Sequence, residues 1–136
     1  MVPARYMARI ADGVLAEALA VSGAVQVKGP KWCGKTATSL QQAASVVYLQ
    51  DSDRSASYLA LADAKPSALL EGRTPRLIDE WQMAPQLWDA VRFAVDLRGE
   101  PGQFVLTGSS TPTVGGAHSG VGRIAPMVMR TMTLFE

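Results

Sequence analysis

Eight consecutive residues in the first third of the chain have the spacing of a phosphate-binding loop. They are Gly29, Pro30, Lys31, Trp32, Cys33, Gly34, Lys35 and Thr36. Together they fit the pattern G-x-x-x-x-G-K-[ST], which binds phosphate when it lies between a strand and a helix. An apolar-rich run at 24–27 precedes the pattern, and a helix-compatible segment at 35–44 follows it. The sequence therefore predicts a nucleotide-phosphate site.

The chemistry of such a loop comes mainly from its backbone. Glycines let successive N–H groups turn towards an anion, and the amino end of the following helix adds unpaired amides and partial positive charge. We expect Lys35 to reach the β- and γ-phosphates and the Thr36 hydroxyl to coordinate Mg²⁺. The predicted phosphate-binding segment runs from Gly29 to Ala37.

A second candidate for chemistry is the run Leu77-Ile78-Asp79-Glu80, where two carboxylates follow an apolar segment. We expect Asp79 to hold Mg²⁺ through its water shell and Glu80 to orient the water that attacks the γ-phosphate. An adjacent Asp-Glu pair is, taken alone, more often a solvated turn. The phosphate-loop pattern upstream favours the catalytic interpretation, whereas Pro75 and Arg76 shorten the strand that leads into the pair.

Composition is consistent with one compact domain. The chain has 136 residues, 48% of them hydrophobic, and a net charge of +1. It contains no apolar run near the roughly 18 residues that span a membrane and no amino-terminal signal segment, so we expect a cytoplasmic protein. The balanced charge does not indicate nucleic-acid binding, although a local basic patch stays open. The single cysteine, Cys33, cannot form a disulfide within the chain and cannot build a metal site with the lone His118.

Helical and strand-like segments alternate along the chain, which predicts a parallel sheet with crossover helices. The predicted helices cover 6–22, 35–44, 57–70 with a break at Pro66, and 85–98, and the predicted strands cover 24–28, 45–49, 76–79, 103–107 and 127–134. Gly23 and Gly99 are placed as carboxyl-terminal helix caps, and residues 51–53 as an amino-terminal cap. The glycine-rich stretch 108–122 predicts a mobile loop.

Four motifs together resemble one family. They are 29–36, Ile78-Asp79-Glu80-Trp81-Gln82, Phe104-Val105-Leu106-Thr107-Gly108-Ser109-Ser110, and Gly122-Arg123 ahead of Leu134-Phe135-Glu136. Their order and spacing are similar to those of the ATP-binding proteins of the AAA-type superfamily, in the bacterial and archaeal group whose longer members add a C-terminal domain of unknown function. The resemblance spans nearly the whole chain and implies a single AAA-type P-loop ATPase core domain over 1–136.

The resemblance implies a three-layer α/β/α sandwich of the P-loop NTPase type. Its five-stranded parallel sheet would have the order 5-1-4-3-2, with strand one between strands four and five. The chain stops at Glu136, directly after the fifth predicted strand. It therefore looks like a C-terminally truncated member without the helical lid that in AAA-type enzymes holds adenine and contributes a second sensor.

The resemblance also implies ATP and Mg²⁺ as ligands, and roles for polar residues late in the chain. The sensor that touches the γ-phosphate or the attacking water would be Thr107, Ser109 or Ser110, with Ser109 favoured. The competing interpretation is a turn whose hydroxyls cap the local backbone. Arg123 would be an arginine finger for a neighbouring copy of the chain, or else an ordinary exposed arginine.

Three functional hypotheses follow. The first is a Mg²⁺-dependent ATPase core, active alone or when assembled with itself through Arg123 or with an unknown protein partner. The second is a nucleotide-binding regulatory or interaction module without significant turnover, with DNA contact possible but not indicated by net charge. The third, ranked last, is a small-molecule phosphotransferase, which usually lacks the adjacent Asp-Glu pair and needs a longer lid.

Overall fold

The computed structural model describes residues 4–30, 34–109 and 124–129, with side chains described from residue 10 onward. Its helices are α1 (Ala4–Val21), α2 (Lys35–Gln42), α3 (Ser55–Ala64), α4 (Pro66–Leu69) and α5 (Leu87–Arg98), with a 3-10 turn at Trp81–Met83. Its strands are β1 (Ala24–Gly29), β2 (Ser45–Tyr48), β3 (Arg76–Asp79), β4 (Phe104–Ser109) and β5 (Ile124–Val128).

The five strands form one sheet in the order β2-β3-β4-β1-β5, and every neighbouring pair is parallel. This is the predicted P-loop NTPase-like arrangement, so the predicted fold class and strand order are confirmed. Because the strands are parallel, their carboxyl ends share one edge of the sheet. Gly29 is in register with Ser109 there, and Asp79 with Thr107.

Alternate residues of the central strands supply the two faces of the sheet, as a strand period of two requires. The face that packs against α1 and α2 is formed by Val25, Val27, Leu77 and Val105, which cluster with Leu15 and Leu19 of α1. The opposite face is formed by Ala24, Ile78, Phe104 and Leu106, which cluster with Leu87, Val91 and Val95 of α5. The result is three layers, with helices on both sides of a buried sheet.

Most predicted helix boundaries are confirmed, and two predicted caps are wrong. Pro66 separates α3 from α4, and Gly99 ends α5 with a left-handed φ of 69°. Residues 51–53 do not cap α3, because the helix starts at Ser55 and Asp51 Oδ1 instead accepts the Asp53 N–H at 3.0 Å. Gly23 has no left-handed φ, and its small size serves packing, as described below.

The largest boundary error concerns β5, which was predicted at 127–134. The strand begins at Ile124 and ends at Val128, while residues 130–134 lie outside the described residues. The predicted loop 108–122 is wrong at Gly108 and Ser109, which belong to β4, and its residues 110–122 lie outside the described residues. The β5 strand includes Pro126, which cannot donate a hydrogen bond to a ladder. Since β5 is an edge strand, the missing donor can face away from β1. No helix within the described ranges is long and apolar enough to cross a membrane.

Gly23 packs where a side chain does not fit. An added Cβ would lie 3.1 Å from Val95 Cβ and still closer to Cγ1, and Val95 is a buried, branched residue of the core. We expect Gly23→Ala to lower the free energy of unfolding by about 1–3 kcal/mol through overpacking. Urea denaturation measures the change.

Gly13 offers the matched control. It is exposed in α1, with no atom within 4 Å of an added Cβ. Gly13→Ala should raise the free energy of unfolding by about 0.5–1 kcal/mol, because alanine has the better helix propensity. Equal effects of the two substitutions would contradict this account of Gly23.

Candidate nucleotide-binding site

The phosphate-loop pattern lies between the end of β1 and the start of α2. Gly29 is the last residue of β1, and Gly34 caps α2 with φ 91° and ψ 16°. This left-handed conformation favours glycine over residues with a Cβ. The Gly34 carbonyl accepts the N–H of Thr38 at 2.9 Å, the first hydrogen bond of the helix. Lys31, Trp32 and Cys33 lie outside the described residues.

Lys35 points back towards the start of the loop. Its Nζ donates to the carbonyl oxygens of Gly29 and Pro30, at 3.0 Å each, and the residue is only 6% exposed. These bonds satisfy an ammonium that burial would otherwise penalise. A phosphate at this position would replace one or both carbonyls as acceptor, so the predicted contact with the β- and γ-phosphates requires an exchange of hydrogen bonds.

Asp79 joins three elements at the carboxyl edge of the sheet. Its Oδ1 accepts the Thr36 hydroxyl at 2.8 Å and the Thr107 hydroxyl at 2.7 Å, and Asp79 is 8% exposed. The parallel register places Thr107 directly beside Asp79, and α2 lies over the same face and brings Thr36 to it. The two donors offset the cost of burying a carboxylate.

The oxygens of Thr36 and Asp79 are of the type that a hard cation prefers. Mg²⁺ in nucleotide sites typically binds one or two protein oxygens together with phosphates and water. A hydroxyl and a carboxylate oxygen 2.8 Å apart, beside the amino end of α2, fit that chemistry. Both residues were predicted as metal ligands, and the structure brings them together.

Glu80 follows Asp79 in an unusual conformation. Its φ of 58° and ψ of 49° are left-handed, and it is the one non-glycine residue with positive φ in the described part of the chain. Such backbone strain is found mainly at functional sites. The next residue, Trp81, is buried and packs against Trp88, with ring centroids 5.1 Å apart and the rings tilted by 40°. Its packing fixes the turn that presents the Glu80 carboxylate.

The remaining predicted residues divide between described and undescribed parts of the chain. Ser109 ends β4 and is in register with Gly29, so it lies at the same edge of the sheet as the loop. Among the sensor candidates, Thr107 contacts Asp79. Ala37 is exposed in the first turn of α2. Ser110 and Arg123 lie outside the described residues.

Two residues that contact the site, Gln82 and Gly108, had no role in the prediction from sequence. Gln82 Nε2 donates to Glu80 Oε1 at 2.6 Å, and the Gln82 carboxamide packs against Gly108 of β4. The available signal was an amide two residues beyond a candidate catalytic carboxylate, since a tight turn brings such residues together. The contact with Gly108 depends on the fold and has no local signal.

This site and sheet define a protein with a P-loop NTPase-like fold. The profile of the AAA domain family matches residues 22–136, and the chain belongs to that family. Among solved structures, it is similar to the ORC2 protein of Aeropyrum pernix, solved as ADPNP-ADP complexes, with 14% identity and a TM-score of 0.43. That match covers 92% of this chain and 46% of the other, so this chain spans about half of its length. A comparison with curated proteins found no significant match.

The two hydroxyl bonds to Asp79 make a prediction about stability. Thr107 is fully buried, and Thr107→Val keeps its shape but removes a hydrogen bond to a carboxylate. We expect the free energy of unfolding to fall by about 1.5–3 kcal/mol, measured by urea denaturation.

Repeating Thr107→Val in an Asp79→Asn background isolates this bond from packing. The loss should shrink by about half or more there, because the hydroxyl then donates to a neutral amide oxygen. An equal loss in both backgrounds would show that Thr107 acts through packing alone.

Proposed function

We propose that the chain binds ATP with Mg²⁺ and hydrolyses the γ-phosphate. The observation that carries the proposal is the convergence of Thr36 and Thr107 on Asp79 Oδ1, at the amino end of the helix that follows the phosphate-loop pattern. This convergence supports a Mg²⁺ site formed by Thr36 and Asp79 next to the phosphate-binding segment. Membership of the AAA domain family supports a nucleotide as the ligand.

Phosphate binding is assigned to the segment from Gly29 to Ala37. The amino end of α2 provides unpaired N–H groups and partial positive charge, which favour a polyanion. Lys35 lies against the loop, with its ammonium 3.0 Å from the Gly29 carbonyl oxygen. A short movement would transfer its hydrogen bonds from loop carbonyls to the β- and γ-phosphate oxygens.

The carboxylates have separate roles in this proposal. Thr36 and Asp79 would hold Mg²⁺, which when bound neutralises charge on the phosphate oxygens. Glu80 would accept a hydrogen bond from a water and take its proton as the water oxygen attacks the γ-phosphorus and the bond to the β-phosphate oxygen breaks. The strained backbone of Glu80 supports an active role for this residue.

Further parts of the proposal rest on sequence. Ser109 is assigned as the sensor of the γ-phosphate, and Arg123 as a finger that acts on a neighbouring copy in the cytoplasm. Such an arginine contributes about 10³–10⁵ to turnover in related chemistry. Sedimentation tests the second role, because a strict monomer with and without Mg-ATP would contradict an Arg123 that acts between copies.

The first test is a titration of the purified chain with fluorescent ATP and Mg²⁺, alongside phosphate release. Lys35→Ala should weaken ATP binding by about 10- to 100-fold, since it removes charge-assisted hydrogen bonds to phosphate. Lys65→Ala is the matched control, because Lys65 is exposed at the junction of α3 and α4. Equal affinities for Lys35→Ala and the unmodified chain would contradict the assigned site.

The same titration separates binding from chemistry through Glu80. Glu80→Gln should retain ATP binding and lower phosphate release by about 10²–10⁴, the range for a lost general base. Glu71→Gln, at an exposed position, should leave both unchanged. If the unmodified chain binds ATP but releases no phosphate, the protein is instead a nucleotide-binding module without turnover.

A further inference from the structure

The side chain of Gln82 links the turn after β3 to the end of β4. Its Nε2 donates to Glu80 Oε1 at 2.6 Å. Its Oε1 is buried and has no hydrogen-bond partner within the described ranges. The carboxylate determines which way the amide points, since a reversed amide would place two acceptors in contact.

Gly108 provides the space that the Gln82 amide occupies. A Cβ at residue 108 would collide with Gln82 Oε1 and lie 3.3 Å from Trp81 Cδ1. Gly108 is buried in β4 and in register with Lys28 of β1, so its backbone is held by the sheet. The glycine is therefore required by a close approach and not by backbone conformation.

Both sides of the Gln82 amide are held by rigid elements. Gly108 belongs to a central strand, and Trp81 is buried in the apolar cluster against Trp88. Glu80 is partly exposed, and the Gln82 amide binds one of its two carboxylate oxygens. The amide thus restricts the rotation of the Glu80 side chain.

From this geometry we infer that Gln82 is a positioning residue, which holds the Glu80 carboxylate in the orientation that a water molecule needs for attack. The inference rests on the proposed hydrolysis. The amide binds Oε1 of Glu80 and leaves Oε2 to accept the proton of the water. Holding a catalytic group in one orientation raises the rate, because the entropy of ordering that group no longer adds to the activation barrier.

A purely structural role fits the amide poorly. Gln82 Oε1 has no donor among the described residues, and a buried acceptor without a donor is unfavourable. An apolar side chain of similar size would avoid that cost. Gln82→Leu should therefore leave the urea midpoint of unfolding unchanged or raise it, while it removes the hydrogen bond to Glu80. Separate effects on stability and on turnover distinguish positioning from packing.

Steady-state phosphate release tests the inference with two variants. Gln82→Leu removes the amide, and Gly108→Ala displaces it without changing either partner. Each should lower kcat by about 10-fold, the lower end for losing a residue that orients a catalytic group. KM and the Kd for fluorescent ATP should not change, because Gln82 is not assigned to the phosphate-binding segment.

Gln86 supplies the matched control. Its Nε2 donates to Asp63 Oδ1 at 2.7 Å, which is also a glutamine-carboxylate bond but is exposed and involves neither Glu80 nor Asp79. Gln86→Leu should leave kcat unchanged. A similar fall in kcat for Gln86→Leu would show that the effect is not specific to Glu80, and would overturn the inference.

Side-chain amide signals give a readout that does not depend on turnover. The chain has seven glutamines and no asparagine, so few amide pairs are present in a proton-nitrogen correlation spectrum. The pair that vanishes in Gln82→Leu identifies Gln82. That pair should shift in Glu80→Gln and in Gly108→Ala but not in Gln86→Leu.

The outcomes separate the inference from the proposed function. An unchanged or higher kcat in Gln82→Leu would overturn the inference while leaving ATP hydrolysis intact. A Gln82 amide pair that does not move in Glu80→Gln would also overturn it. If the unmodified chain releases no phosphate, the proposed hydrolysis is wrong, and the positioning role is wrong as well. The unmodified chain alone gives this result, so it is distinguished from any effect of the variants.

Discussion

A buried carboxylate with two hydroxyl donors organises the site. Asp79 Oδ1 can be satisfied only if Thr36 and Thr107 lie within hydrogen-bonding distance, and these residues belong to α2 and β4. The sheet order places β4 next to β3, and the parallel register places Thr107 opposite Asp79. The phosphate-loop pattern, which leads into α2, is thereby tied to the strand that ends at Asp79 and leads into Glu80.

The internal bonds of the site also constrain how it could bind a ligand. Lys35 already donates to two carbonyl oxygens, and Thr36 to Asp79. A phosphate or a metal ion would exchange these bonds for others, so each new bond would add only the difference between two similar interactions. Affinity would therefore depend on charge and on the number of loop amides that converge on the ligand.

Apolar periodicity and the placement of glycine and proline predicted most of the elements, whereas the order of the sheet followed from the resemblance of the motifs to the AAA-type family. The sequence also predicted that Asp79 and Thr36 would lie together. The bond from Thr107 to Asp79 was not predicted, because only the register between strands decides which residue of β4 lies beside the carboxylate. The contact of Gln82 with Gly108 joins residues from two elements, which no local pattern encodes. The early start of β5 depends on its edge position, a property of the assembled sheet.

Pro126 has a consequence for the outer edge of the sheet. It lies in the middle of β5, and among the described strands β5 has a neighbour, β1, on one side only. A further strand that approached this edge would find no N–H donor at residue 126, so a continuous ladder could not form. The exposed Val128 would otherwise make this edge attractive to another chain. Pro126 would thus limit the addition of strands from other molecules to this edge of the sheet.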